Sequence, residues 1–165
     1  MRFYGSLCFL AIALASSHCA LFGGGNGDNL RHASGYKVAT PSDWKSIEKG
    51  ESDSAYRLPS GAIMELTSSC KQRNSTSLEV LTKQLLMGTR NIRIEKQEKV
   101  PISNGSGLLT QLSAQDQGSV VYLDVIVFSE RGCVFDFSLV GKTRFSEPEV
   151  SQFLQLAKSL QYDGN

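Results

Sequence analysis

Histidine is nearly missing from this chain, which has only His18 and His32 among its 165 residues. A Ser-His-Asp or Cys-His catalytic site needs an imidazole held firmly beside its nucleophile. His18 falls in a segment read below as a removable signal and His32 in a glycine-rich tether, so neither is expected to supply one. Zinc sites draw on clustered Cys and His and are disfavoured for the same reason. The expectation is a chain that is not an enzyme and carries no cofactor and no metal. An excess of one charge is also lacking, with 17 Lys and Arg against 16 Asp and Glu. Without a general positive field, no nucleic-acid partner is expected. Nor is there a long hydrophobic run. The candidate at Leu7–Ala15 (LCFLAIALA) has nine residues, against the ~20 that cross a bilayer. What the chain does have is 41% hydrophobic and 20% charged residues, the balance of one folded domain.

That apolar run, with Arg2 before it, has the length and flank of a signal peptide, giving an expected signal over residues 1–18. Of the four cysteines, Cys8 leaves with the signal, and Cys19, Cys70 and Cys133 remain. Three thiols are an odd number for an oxidising compartment. The count resolves if Cys19 is set apart and Cys70 and Cys133 form a disulfide, a reading that their apolar strands favour. A redox role is the alternative, and it lacks a C-x-x-C spacing. Ser16-Ser17-His18-Cys19, followed by Ala20-Leu21-Phe22, resembles a bacterial lipoprotein signal. Ser16 stands where that pattern has an apolar residue, and His18 where it has a small one. The resemblance implies lipidation of Cys19, attachment to a membrane through that N-terminal lipid, and an outer-membrane or periplasm-facing address. Ordinary cleavage after Ala13-Leu14-Ala15 is the alternative, and it releases a secreted soluble chain. Five glycines lie between Ala20 and Gly35, so residues 19–35 read as a lipidated cysteine and a flexible tether reaching roughly 20 Å. The domain is then expected over residues 36–165.

Within it, Tyr36–Ala39 reads as a short strand stopped by Pro41, and Ser42-Asp43-Trp44 as a turn. Ser54–Leu58 and Ala62–Ser69 read as a hairpin around Pro59-Ser60-Gly61. Lys71–Ser75 reads as a loop before a helix whose capping box is Thr76-x-x-Glu79, with Leu78, Leu81 and Leu85 on one stripe. Four strands follow at Asn91–Val100, Gly107–Ala114, Ser119–Phe128 and Cys133–Val140, separated by Ser103–Ser106, Asp116–Gly118 and Glu130–Gly132. Short connections make them antiparallel neighbours. The last two are apolar on both faces apart from Asp124, Asp136 and Ser138, so they need cover on both faces. A closing helix is marked by the capping box Ser146-Glu147-Pro148-Glu149, with a stripe of Val150, Phe153, Leu154, Ala157 and Leu160.

The order of elements, the Pro41-x-x-Trp44 opening and the final helix ending in Lys158-Ser159-Leu160 resemble the PsbP-like fold over about Tyr36 to Tyr162. The resemblance implies an α+β domain: an antiparallel sheet of about six strands flanked by helices on both faces. Members of that fold mostly act as binding or assembly accessories. The functional expectation is a non-catalytic cell-envelope lipoprotein that binds an envelope protein partner. The alternative is a carrier or sensor of a small apolar ligand, held in a cavity near Phe135 and Met64. Asp124 and Asp136 form a candidate acidic pair: if Val127 faces Cys133, the two carboxylates lie opposite each other on one face. A different register separates them. Arg90–Lys96 alternates charge with isoleucine, which reads as a half-exposed strand with a solvated face, or else as a partner-docking edge.

Overall fold

Turn chemistry sets the order of the strands. Arg131 and Gly132 both take positive φ (48° and 80°), the two-residue turn whose twist matches the strands it joins. Gly61 and Gly118 do the same work at the other tight reversals. The computed structural model describes residues 31–70, 76–102, 105–116 and 118–164. The expected Lys71–Ser75 loop and the Ser103–Asn104 turn lie outside the described residues. Seven strands and two helices follow in the order β1 (Lys45–Ser46), β2 (Ser54–Arg57), β3 (Ile63–Cys70), α1 (Leu78–Leu85), β4 (Arg90–Ile102), β5 (Gly105–Asp116), β6 (Ser119–Glu130), β7 (Cys133–Gly141) and α2 (Glu147–Lys158).

The strands form one antiparallel sheet in the order β1-β2-β3-β7-β6-β5-β4. It is two meanders joined along β3 and β7. Cys70 and Cys133 face each other in that seam, and their sulfurs are bonded, with Cα atoms 4.0 Å apart. The bridge closes a loop with a sequence separation of 63, which in the chain-entropy account stabilises the fold by roughly 4 kcal/mol.

Alternation along the central strands divides their side chains between two cores. Ile126, Phe128, Phe135 and Phe137 join Met64, Leu66 and, from α2, Phe153, Leu156 and Ala157. Val125, Val127 and Val134 join Leu112 and Leu86, with Leu78, Leu81 and Leu85 of α1 packed against them. Phe128 stacks on Phe135 and Phe137 at centroid distances of 5.4 and 5.9 Å. Met64 and Phe135 are fully buried. The cleft that the described residues form lies elsewhere, over Gln111, Tyr122 and Asp124.

Four expectations are corrected. The sheet has seven strands rather than about six, and the chain is mostly β. It is not flanked by helices across both faces: α1 lies mainly against β5 and β6, and β4 is exposed from Arg90 to Lys99. Tyr36–Ala39 is no strand, making a single bridge between Lys37 and Gln161, while the first strand is Lys45–Ser46, beyond the Pro41–Trp44 turn. Finally, the boundary at Tyr36 falls inside the packed domain. The Arg31 carbonyl accepts from Cys70 N–H at 2.7 Å, Ala33 N–H donates to Ser68 Oγ at 2.8 Å, and Ala33 is buried.

The helix ends follow their capping signals. α1 is capped by Ser77, one residue later than the Thr76 box, with its side chain accepting from Val80 N–H. Gly88, at φ +88°, ends that turn as glycine commonly does. At α2 the Glu149 carboxylate accepts from both the backbone N–H and the hydroxyl of Ser146, at 2.8 and 2.7 Å.

Candidate functional site

The β6–β7 register decides what becomes of the acidic pair. The two-residue turn aligns Glu130 with Cys133, which pairs Asp124 with Leu139 and Val127 with Asp136. That differs by three residues from the register that would oppose the aspartates. An odd shift turns one of them to the other side of the sheet. The structure therefore separates Asp124 and Asp136, and the expected pair is corrected. Asp136 lies between Thr67 of β3 and Val127 of β6. Burial pushes its carboxyl up to about 7.

Asp124 instead faces the side of the sheet where α2 begins, at the floor of a cleft of about 130 Å³. It is 4% exposed, and its Oδ2 accepts from Gln111 Nε2 at 2.8 Å. Burial raises its pKa, the Gln111 bond opposes that, and the nearby Glu95 charge adds to the rise. Glu95 reaches this cleft because of a bulge. Ile94 pairs with Leu112 and Lys96 with Gln111, so Glu95 is the extra residue on β4. An extra residue re-aims its side chain.

Arg144, on the loop between β7 and α2, forms the opposite wall. Its Nη1 and Nη2 donate to the two oxygens of Glu95, the latter at 2.7 Å. Its guanidinium carbon lies 4.9 Å from the centre of the Tyr122 ring. This fork holds Glu95 below the usual carboxylate range and raises the Arg144 pKa. Phe145, Val150 and Leu112 complete an apolar rim. No ion pair reaches Asp124 among the described residues. The sequence marked Asp124 but assigned it the wrong partner. Glu95 and Arg144 are 49 residues apart and carried no local signal that they meet.

The other expected site residues divide. Cys70 and Cys133 are brought together as the disulfide. Cys19 and the rest of residues 1–30 lie outside the described residues. His32, expected in a flexible tether, is held against the fold, its Nδ1 2.8 Å from Asp53 Oδ1. Beside them burial pushes the Tyr36 phenol up to about 12, with the Asp53 charge adding to it.

No protein-family model matches this sequence, and no curated protein does. Solved structures match the fold. A Bacteroides thetaiotaomicron VPI-5482 protein is 15% identical with a TM-score of 0.56, covering 79% of this chain and 46% of that one. This chain thus spans less than half of that protein. Cyanobacterial PsbP (CyanoP) from Synechocystis sp. PCC 6803 is 16% identical with a TM-score of 0.54, covering 86% of this chain and 98% of that one. LpqN of Mycobacterium tuberculosis, involved in cell envelope biogenesis, is 12% identical with a TM-score of 0.50, covering 82% of this chain and 86% of that one. At such identities the likeness is one of fold, and the fold resembles that of PsbP.

Proposed function

We propose that this chain is an exported, non-catalytic accessory domain of the cell envelope that works by binding a partner protein along β4. In this reading residues 1–18 are a signal, Cys19 carries a lipid, and residues up to about 30 tether the domain to its membrane. The disulfide supports export, since such bonds persist where the surroundings are oxidising. The involvement of LpqN in cell envelope biogenesis is in keeping with that address. The observation that carries the binding role is β4 itself. It is the outer strand of the described sheet, 13 residues long, and exposed at every position from Arg90 to Lys99. Ile92 and Ile94 stand on it 38% and 52% exposed, among basic side chains. An outer strand offers unpaired backbone groups and a row of side chains to another chain.

The test is co-purification from native membranes with two variants. Ile94→Glu, on β4, is expected to lose the partner that the unaltered chain retains. Lys45→Glu, on the opposite outer strand β1, is expected to keep it. Equal recovery with both variants, or no partner with the unaltered chain, contradicts the proposal.

A further inference from the structure

We propose that the cleft over Asp124 is a binding site for an alkylguanidinium group, and that Arg144 is the in-chain group that occupies its outer half. The inference does not rest on the partner-binding reading, because a free guanidinium compound satisfies it as well.

Charge decides the sign of the ligand. Two carboxylates, Glu95 and Asp124, face one guanidinium, Arg144, across the cleft. Arg144 is committed to Glu95 by two donors, which leaves Asp124 buried with, among the described residues, only the neutral Gln111 amide bonded to its side chain. A buried carboxylate without a counter-charge favours an entering cation. An anion would meet both carboxylates and is excluded by them.

Shape decides the class. The planar fork of a guanidinium matches a carboxylate through two parallel bonds and stacks on an aromatic face, which an ammonium does not do as well. Both features are already in place at Glu95 and Tyr122, and Arg144 uses them. Arg144 is itself a surface residue, its side chain 65% exposed, on the loop before α2. A side chain of that exposure can swing away. An incoming guanidinium would then take the fork on Glu95 and the Tyr122 face, or enter beneath Arg144 and reach Asp124. Either way Arg144 is its competitor, and removing Arg144 strengthens binding.

The experiment is a calorimetric titration of the mature, oxidised chain with methylguanidinium and with a capped Ala-Arg-Ala peptide. Arg144→Ala is expected to bind at least one of them tenfold or more tightly than the unaltered chain. Adding Asp124→Asn, which keeps a group able to accept from Gln111, is expected to remove that gain. Adding Glu95→Gln instead is expected to do the same, so a failure of one double variant to fold leaves the other to decide. Thermal melts identify the folded variants. Tighter binding of methylguanidinium identifies a free compound as the source, and tighter binding of the peptide identifies an arginine side chain. If Arg144→Ala binds neither probe more tightly, or if both acidic substitutions leave the gain intact, the proposal is overturned.

Discussion

Asp136 is the residue whose environment speaks most directly about pH. Its ordinary carboxyl titrates near 4, and burial raises it in the folded chain to about 7. Between those values the folded state holds a proton that the unfolded state has released. The contribution of Asp136 to stability is therefore fully present below about pH 4 and is lost as pH rises toward 7, by up to about 1.4 kcal/mol per pH unit. Asp136→Asn is expected to abolish that fall. Urea unfolding midpoints at pH 4.5 and 7.5 check it: the unaltered chain loses stability across the interval and the variant loses less. Parallel slopes would show that Asp136 does not titrate in this range. Asp136 was visible in the sequence as a carboxylate within an apolar strand. Its separation from Asp124 was not, because one extra or missing turn residue changes which face a whole strand presents.

At the scale of elements, the connection between β7 and α2 sets the cleft. A Cβ added at Gly141 would stand 2.7 Å from Phe145 Cε1 and 3.3 Å from the Thr143 carbonyl oxygen. An aromatic ring at the cleft rim cannot fold aside as a flexible chain end does. Gly141→Ala is therefore expected to destabilise the domain by about 1–3 kcal/mol, and to move Phe145 with Arg144 behind it. Chemical denaturation measures the first, and the Tyr122 ring resonances report the second. An unchanged midpoint contradicts it. The elements themselves were largely legible. The Ser146 and Glu149 box, the Leu78, Leu81 and Leu85 stripe and the apolar β6 and β7 all record local rules that tertiary packing respects. The failures share a cause. Tyr36–Ala39 and Lys45–Ser46 are short, and whether a short extended segment joins a sheet depends on what lies beside it in space. The first finds the chain's own C-terminal segment at Gln161, and the second finds Arg57 and Tyr56. The Glu95 bulge was hidden for a similar reason, since it exists only relative to β5.

For the whole molecule, the two meanders differ in how they are held. Their seam is closed by the disulfide, and the segment from Arg31 runs back over it to Cys70 and Ser68. That places the route toward the N-terminus at the seam, far along the sheet order from β4. A domain tethered through such a segment presents its outer strand β4 and the Asp124 cleft away from the seam, on strands free of the N-terminal strap. The proposed division of labour follows: the seam in the middle of the sheet order fixes the domain, and the β4 end meets the partner. The most direct measurement is site-specific photocrosslinking in intact cells of the source organism, with the photoreactive side chain placed at Ile94 or at Lys45. The account predicts a discrete adduct from Ile94 on β4 and none from Lys45 on β1. No adduct at Ile94, or the same adduct from both positions, would contradict it.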